Sequence, residues 1–195
     1  QYLGVAQVDK AWLPEYSEGV IALSGGRLGE VGQALVSGNH DQARERLDFW
    51  MQLYPQRFYL ELQRTGRESE EDYLHAAVAL ADQAQCPVVA TNDVRFLAAD
   101  EFEAHEARVC VQEGRSLDDP RRARAYTEQQ YLRSPEEMAD LFSDIPEALE
   151  NTVEIAQRCS VELELGKPCL PDYPVPEGLT MEEFFQQLSH QGLDK

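Results

Sequence analysis

The residues with the most chemical potential stand together at Thr91-Asn92-Asp93-Val94-Arg95, directly after the apolar run Val88-Val89-Ala90. This reads as a buried strand that delivers polar side chains at its carboxyl end, where α/β folds keep their ligands. Asp93 and Arg95 are two apart, so extended backbone projects both to one face. An Asp-x-His at such a place suits a divalent ion, because carboxylate and neutral imidazole are both good donors. Arg in the second position stays protonated and has no lone pair to offer a cation. Two readings follow: a site-like place with the wrong donor for a metal, or a strand end closed by a satisfied Asp–Arg pair.

Other reactive residues are more isolated. His105-Glu106 has no second His four residues on, so it is no zincin motif, and His40, His75 and His190 have no ligand neighbours in sequence. Cys86, Cys110, Cys159 and Cys169 stand far apart without a C-x-x-C, the pattern of reduced thiols in a cytoplasmic protein. Leu23-Ser24-Gly25-Gly26-Arg27-Leu28-Gly29-Glu30 lacks the spacing of both the P-loop and the dinucleotide fingerprint and is read as a strand-to-helix turn.

The elements that would position these residues follow a βα rhythm. Gly19 to Ser24, Phe58 to Leu62 and Val88 to Thr91 read as three parallel strands. Between them, a helix from Asp41 to Tyr54 carries Ala43, Leu47, Trp50, Met51 and Tyr54 on one stripe. A second, capped by Ser69 with Asp72, runs to Gln85 and buries Leu74, Ala77, Val78 and Ala81. Val5 to Leu13 reads as a loop and short helix anchored by Trp12 and Leu13. Phe102 to Cys110 is helical. Ser134-Pro135-Glu136-Glu137 is a strong helix start, and Asp144-Ile145-Pro146-Glu147 repeats it for a helix reaching Cys159, with Leu149, Val153 and Ala156 inward. Val161 to Leu165 reads as a short strand. Lys167 to Gly178 holds four prolines and reads as a linker, and Thr180-Met181-Glu182-Glu183 caps a last helix carrying Phe184, Phe185 and Leu188.

At 195 residues, 43% hydrophobic and 27% charged, the chain suits one globular domain, or one plus an appendage. No apolar run reaches membrane-spanning length, and the start, which lacks Met and a signal pattern, suggests a fragment. A net charge of −19 repels phosphate backbones, so direct duplex binding is disfavoured. The single basic run, Arg121-Arg122-Ala123-Arg124, follows Asp118-Asp119-Pro120 and reads as a solvated loop or local ion-pair set.

Taken in order, Leu23 to Arg27, Tyr59-Leu60-Glu61-Leu62, Val88 to Leu97, Ser134-Pro135-Glu136-Glu137-Met138 and Phe142 to Ala156 resemble the alpha-subunit family of the bacterial replicative DNA polymerase III, within the C-family polymerases. The resemblance covers essentially the whole chain. It implies an α/β fold: the later part of a PHP-type (β/α)7 barrel with a C-terminal helical segment. Residues 1–130 would be PHP domain, 131–166 a helical connection, and 167–195 a Pro-rich linker and first helix of the polymerase region, entered at Leu170-Pro171. Metal-competent members of the family carry Cys at the place of Gly26 and Asp-x-His at the place of Asp93-Val94-Arg95. The resemblance therefore marks Gly26, Asp93 and Arg95 as positions of a degenerate PHP metal site, with neither a metal nor a catalytic residue in this fragment. Remaining ligands would lie before Gln1, and the Mg-dependent polymerase carboxylates after Lys195.

Two functions follow from the resemblance. One is a non-catalytic scaffold that supports the polymerase body and holds the proofreading exonuclease (epsilon) subunit and the holoenzyme, with DNA reached only through the parent chain. The other is a metal-dependent phosphoesterase or 3'-5' exonuclease. If only later βα units are present, the open edges favour either an edge-paired or swapped oligomer or a rearranged packing in which helices cover the edge, with 168–195 the most mobile part.

Overall fold

The computed structural model describes residues 7–168 and 173–193. Val5, Cys169 and Leu170-Pro171 lie outside the described residues. The chain divides into two units, 1–159 and 160–195.

The first unit opens with a 3-10 turn (Lys10–Trp12) and α1 (Leu13–Tyr16), then alternates strand and helix: β1 (Ala22–Leu23), α2 (Glu30–Val36), α3 (His40–Leu53), β2 (Phe58–Gln63), α4 (Glu70–Ala84) and β3 (Val88–Thr91). The helices α5 (Phe102–Glu113), α6 (Pro135–Leu141) and α7 (Pro146–Arg158) complete it. The three strands form one parallel sheet with β2 in the centre, Ala22 opposite Phe58 and Leu60 opposite Val88. This is the parallel order expected, and it is a partial sheet: a closed (β/α)7 barrel is not what these residues form.

Alternation along β2 and β3 sorts their side chains. Phe58, Leu60, Leu62, Val88 and Ala90 enter one core with Val31 and Leu35 of α2, Ala43 and Leu47 of α3, and Tyr73, Leu74 and Ala77 of α4. The alternate positions Glu61, Gln63 and Thr91 are polar and bind one another: Thr91 Oγ1 donates to Glu61 Oε1 at 2.5 Å and Gln63 Nε2 donates to Thr91 Oγ1 at 3.1 Å. On β3, the Val88 carbonyl accepts from Asn151 Nδ2 of α7 at 2.8 Å, so a helix satisfies a backbone acceptor of this strand.

Several local expectations are corrected. The first strand is two residues long, because only Ala22 and Leu23 pair with β2. Trp12 is exposed and is not the buried anchor expected. Ser69 does not cap α4: its φ is +58° and its side chain makes no cap bond. Glu70, the first residue of α4, turns back onto the preceding loop instead, its carboxylate accepting from Thr65 N at 2.5 Å and Arg67 N at 3.4 Å. Asp144 does not cap α7 either, since its carboxylate is held by Arg64 at 2.6 and 2.8 Å. The inward residues of α7 are Ala148 and Leu149, whereas Val153 and Ala156 are exposed. Ser134 does form the full capping box with Glu137.

The second unit contains α8 (Met181–Leu193), whose Thr180–Glu183 box matches the expectation. Val161 to Leu165 forms no strand, and Val161, Leu163 and Leu165 are exposed. An alternating pattern makes a strand only where a neighbouring edge supplies hydrogen bonds.

Candidate functional site

The ends of β2 and β3 converge on Asp93. The strand stops at Thr91 and Asp93 sits at φ +44°, so Asp93 and Arg95 do not share the face of one extended strand. They meet because the chain turns: Arg95 Nη2 lies 2.7 Å from Asp93 Oδ1. The other oxygen, Oδ2, accepts from Arg67 Nη2 at 2.6 Å and from Gln130 Nε2 at 2.9 Å. Arg67, with 7% of its side chain exposed, is itself held by Thr65 Oγ1 at 2.8 Å and faces the buried Glu70 at 3.8 Å. Gln130 is fully buried and also donates to the Asp93 carbonyl at 3.1 Å.

Gly26 is not part of this hydrogen-bonded set. It has φ +57°, and a Cβ built on it would stand 3.1 Å from Gln63 Oε1. A side chain there meets both a left-handed backbone and the Gln63–Thr91 pair. The three positions singled out by sequence thus separate into an Asp93–Arg95 ion pair and a glycine packed against Gln63.

The donor set around Asp93 does not fit a divalent cation. Each carboxylate oxygen already accepts from a cation or an amide, and an added metal would face two guanidinium charges. Among the described residues, no three His, Cys, Asp or Glu converge in a way that could hold a metal. His105 is buried against Phe96 and Tyr126, with ring centroids at 5.5 and 4.7 Å. Burial first, then the neighbouring Arg108, hold its pKa below the ordinary imidazole value. It is a core histidine.

Sequence reasoning missed Arg67 and Gln130. Arg67 is 26 residues from Asp93 and Gln130 is 37 away, and neither spacing carries a signal. The basic run was legible in part: Arg121 pairs with Asp119 at 2.9 Å, but Arg122 is not solvated and makes a buried pair with Glu106.

Residues 1–65 match the family described as PHP domain. The chain as a whole is similar to the proteins named DNA polymerase III subunit alpha of Pseudomonas aeruginosa (55% identical over 188 residues, 96% of this chain), Pseudomonas fluorescens (53% over 192 residues, 98%) and Escherichia coli (51% over 188 residues, 96%). The chain belongs to the DNA polymerase III alpha-subunit family, as its ordered blocks implied. It spans 16% of the length of each of these relatives.

Proposed function

We propose that this segment is a non-catalytic PHP scaffold within the alpha subunit of a replicative, DNA-directed DNA polymerase III. In this reading it supports the polymerase body and holds the proofreading exonuclease (epsilon) subunit of a cytoplasmic holoenzyme. Mg-dependent nucleotidyl transfer and DNA contact belong to the parent chain. PHP domain over 1–130, a helical connection over 131–166 and the start of the polymerase region over 167–195 is the organisation that goes with it. The exposed Leu23 at β1 marks the edge where an edge-paired or swapped contact would form.

The observation that carries the reading is the occupancy of Asp93. Arg95, Arg67 and Gln130 take both oxygens, so the carboxylate serves as an acceptor that joins loops and offers nothing to a metal. The charge of −19 supports a protein partner over a nucleic-acid one at this surface.

The test is metal retained by the desalted full-length alpha subunit, read by plasma mass spectrometry, with hydrolysis of a simple phosphodiester in the absence of nucleotides. No retained metal and no hydrolysis are expected. Arg95→His is expected to gain neither, because Arg67 and Gln130 still hold Oδ2. Stoichiometric Mn²⁺ or Zn²⁺ with turnover in the unmodified protein would overturn the scaffold reading in favour of a phosphoesterase or 3'-5' exonuclease.

A further inference from the structure

His105, near the start of α5, is buried against Phe96 of the loop after β3 and Tyr126 of the segment that follows α5. Arg108 Nη2 lies 3.4 Å from its Nδ1. A guanidinium only donates, so Nδ1 accepts and the proton of the neutral ring sits on Nε2. Nε2 is itself buried and has no hydrogen-bond partner among the described residues. The ring is thus held by aromatic packing and by a lone pair that must stay unprotonated.

What it holds is an irregular stretch. Residues 114–134 contain no helix, and their one β-bridge joins Tyr131 to Phe96. The later part is well tied to the strand ends. Asn92 Nδ2 donates to the carbonyls of Gln129 and Tyr131 at 3.1 and 2.7 Å, and the Arg95 and Leu132 amides donate to the carbonyls of Gln130 and Phe96 at 2.8 and 3.0 Å. The earlier part, 117–126, is anchored on α5 by two side chains, Arg122 on Glu106 and Tyr126 edge-on to His105 at 4.7 Å. Tyr126 also lines an open cleft of about 600 Å³, so its ring has space beside it.

The charged and titratable groups around the imidazole are Glu106 and Arg108 on α5, Arg95 on the loop after β3, and Arg122 and Tyr126 beyond α5. The one carboxylate among them, Glu106, is already paired with Arg122. A proton added at Nδ1 would remove the acceptor of Arg108, leave two ring N–H groups without a partner, and set a cation beside guanidinium groups in an aromatic slot. Burial first, then Arg108, keep the ring neutral. With the folded-state pKa depressed, the packed arrangement is fully stabilised above the ordinary imidazole value and weakens as pH falls through the folded one. We infer that His105 is a pH-sensitive latch: neutral, it keeps Tyr126 and residues 117–126 on α5, and protonated it releases them while 127–132 stay on the strand ends. The latch stands independently of the scaffold reading.

The test is hydroxyl-radical footprinting of the full-length alpha subunit at about pH 7.5 and about pH 5, dosimeter-corrected and read by peptide mass spectrometry. Labelling of Tyr126 and Phe96 is expected to rise about threefold or more in acid, with Tyr131 and the buried Phe142 unchanged. His105→Phe fills the slot without titrating, and His105→Gln keeps an acceptor for Arg108 without titrating in this range; both are expected to abolish the rise. Deuterium exchange at Cε1 of His105 gives its titration midpoint in the unmodified subunit, whatever the variants do to packing. An unchanged Tyr126, or a rise that extends to Tyr131 or Phe142, overturns the latch. A rise that persists in a variant whose labelling is normal at neutral pH assigns the effect to another group, such as Glu106, and overturns it too. So does a His105 midpoint at the ordinary imidazole value.

Discussion

Asp93 owes its chemistry to three neighbours, of which only Arg95 is near it in sequence. An ion pair between residues two apart was legible, since any turn or strand keeps them within reach. Arg67 and Gln130 were not, because only the packing of two loops brings them to the same carboxylate. Asp144 shows how such pairing is felt by pH. Hydrogen bonding to Arg64 holds its carboxyl at about 2, below the ordinary 3.8. A depressed folded-state value gives stability that is present above the ordinary pKa and is lost as pH falls through about 2. With 58% of the Asp144 side chain exposed, solvent screening limits the contribution to about 0.5–1 kcal/mol. Asp144→Asn is therefore expected to lower stability by that amount at neutral pH, and to match the unmodified chain in acid below the folded pKa. Urea unfolding at both conditions measures it; a difference that persists in acid rules out the electrostatic origin.

Among the elements, local patterns succeeded where nothing competed for the side chain. Ser134 found its own backbone and the Glu137 partner, and the capping box formed as read. Ser69 adopts a left-handed backbone and makes no cap bond, and Asp144 was captured by Arg64 from the end of β2. The causes differ: a left-handed backbone takes Ser69 out of cap geometry, whereas the cap of Asp144 is a short-range option that a charged partner from another element displaced. The stripe of α7 shifted for a related reason, since Ala148 and Leu149 face the core that Phe142 and Ile145 enter just before them. Phe142 is fully buried at the C-terminus of α6, beneath the Arg64 guanidinium at 5.2 Å. Phe142→Ala is expected to cost about 3–5 kcal/mol, read from the urea midpoint. A cost near that of a surface substitution would mean that α6 and α7 do not belong to the sheet's core.

The first unit behaves, on its burial, as one core served by α2, α3, α4, α6 and α7. Cysteine chemistry tests that at the scale of the whole unit. Burial pushes the Cys86 thiol up to about 11, Cys110 is also buried, and Cys159 is exposed. In mildly alkaline buffer, iodoacetamide is expected to modify Cys159 in the native protein, and Cys86 and Cys110 only after unfolding. Peptide mapping by mass spectrometry reads each site. Native-state labelling of Cys86 as fast as Cys159 would show that the sheet opens where α4 meets β3. No described helix is long and apolar enough to cross a membrane, in line with the absence of any long apolar run.

The sequence by itself determined the βα rhythm, the parallel order of three strands, the acidic surface and the family, because these depend on periodicity, composition and ordered local blocks. Tertiary structure alone decided which charges distant in sequence meet. It brought Arg67 and Gln130 to Asp93, Arg64 to Asp144 and Arg122 to Glu106, and left Val161 to Leu165 without a strand partner. The physical reason is range. Backbone preference and hydrophobic periodicity act over a few residues, whereas an ion pair or a sheet edge is satisfied by whatever the fold places within about 3 Å, however distant it is along the chain.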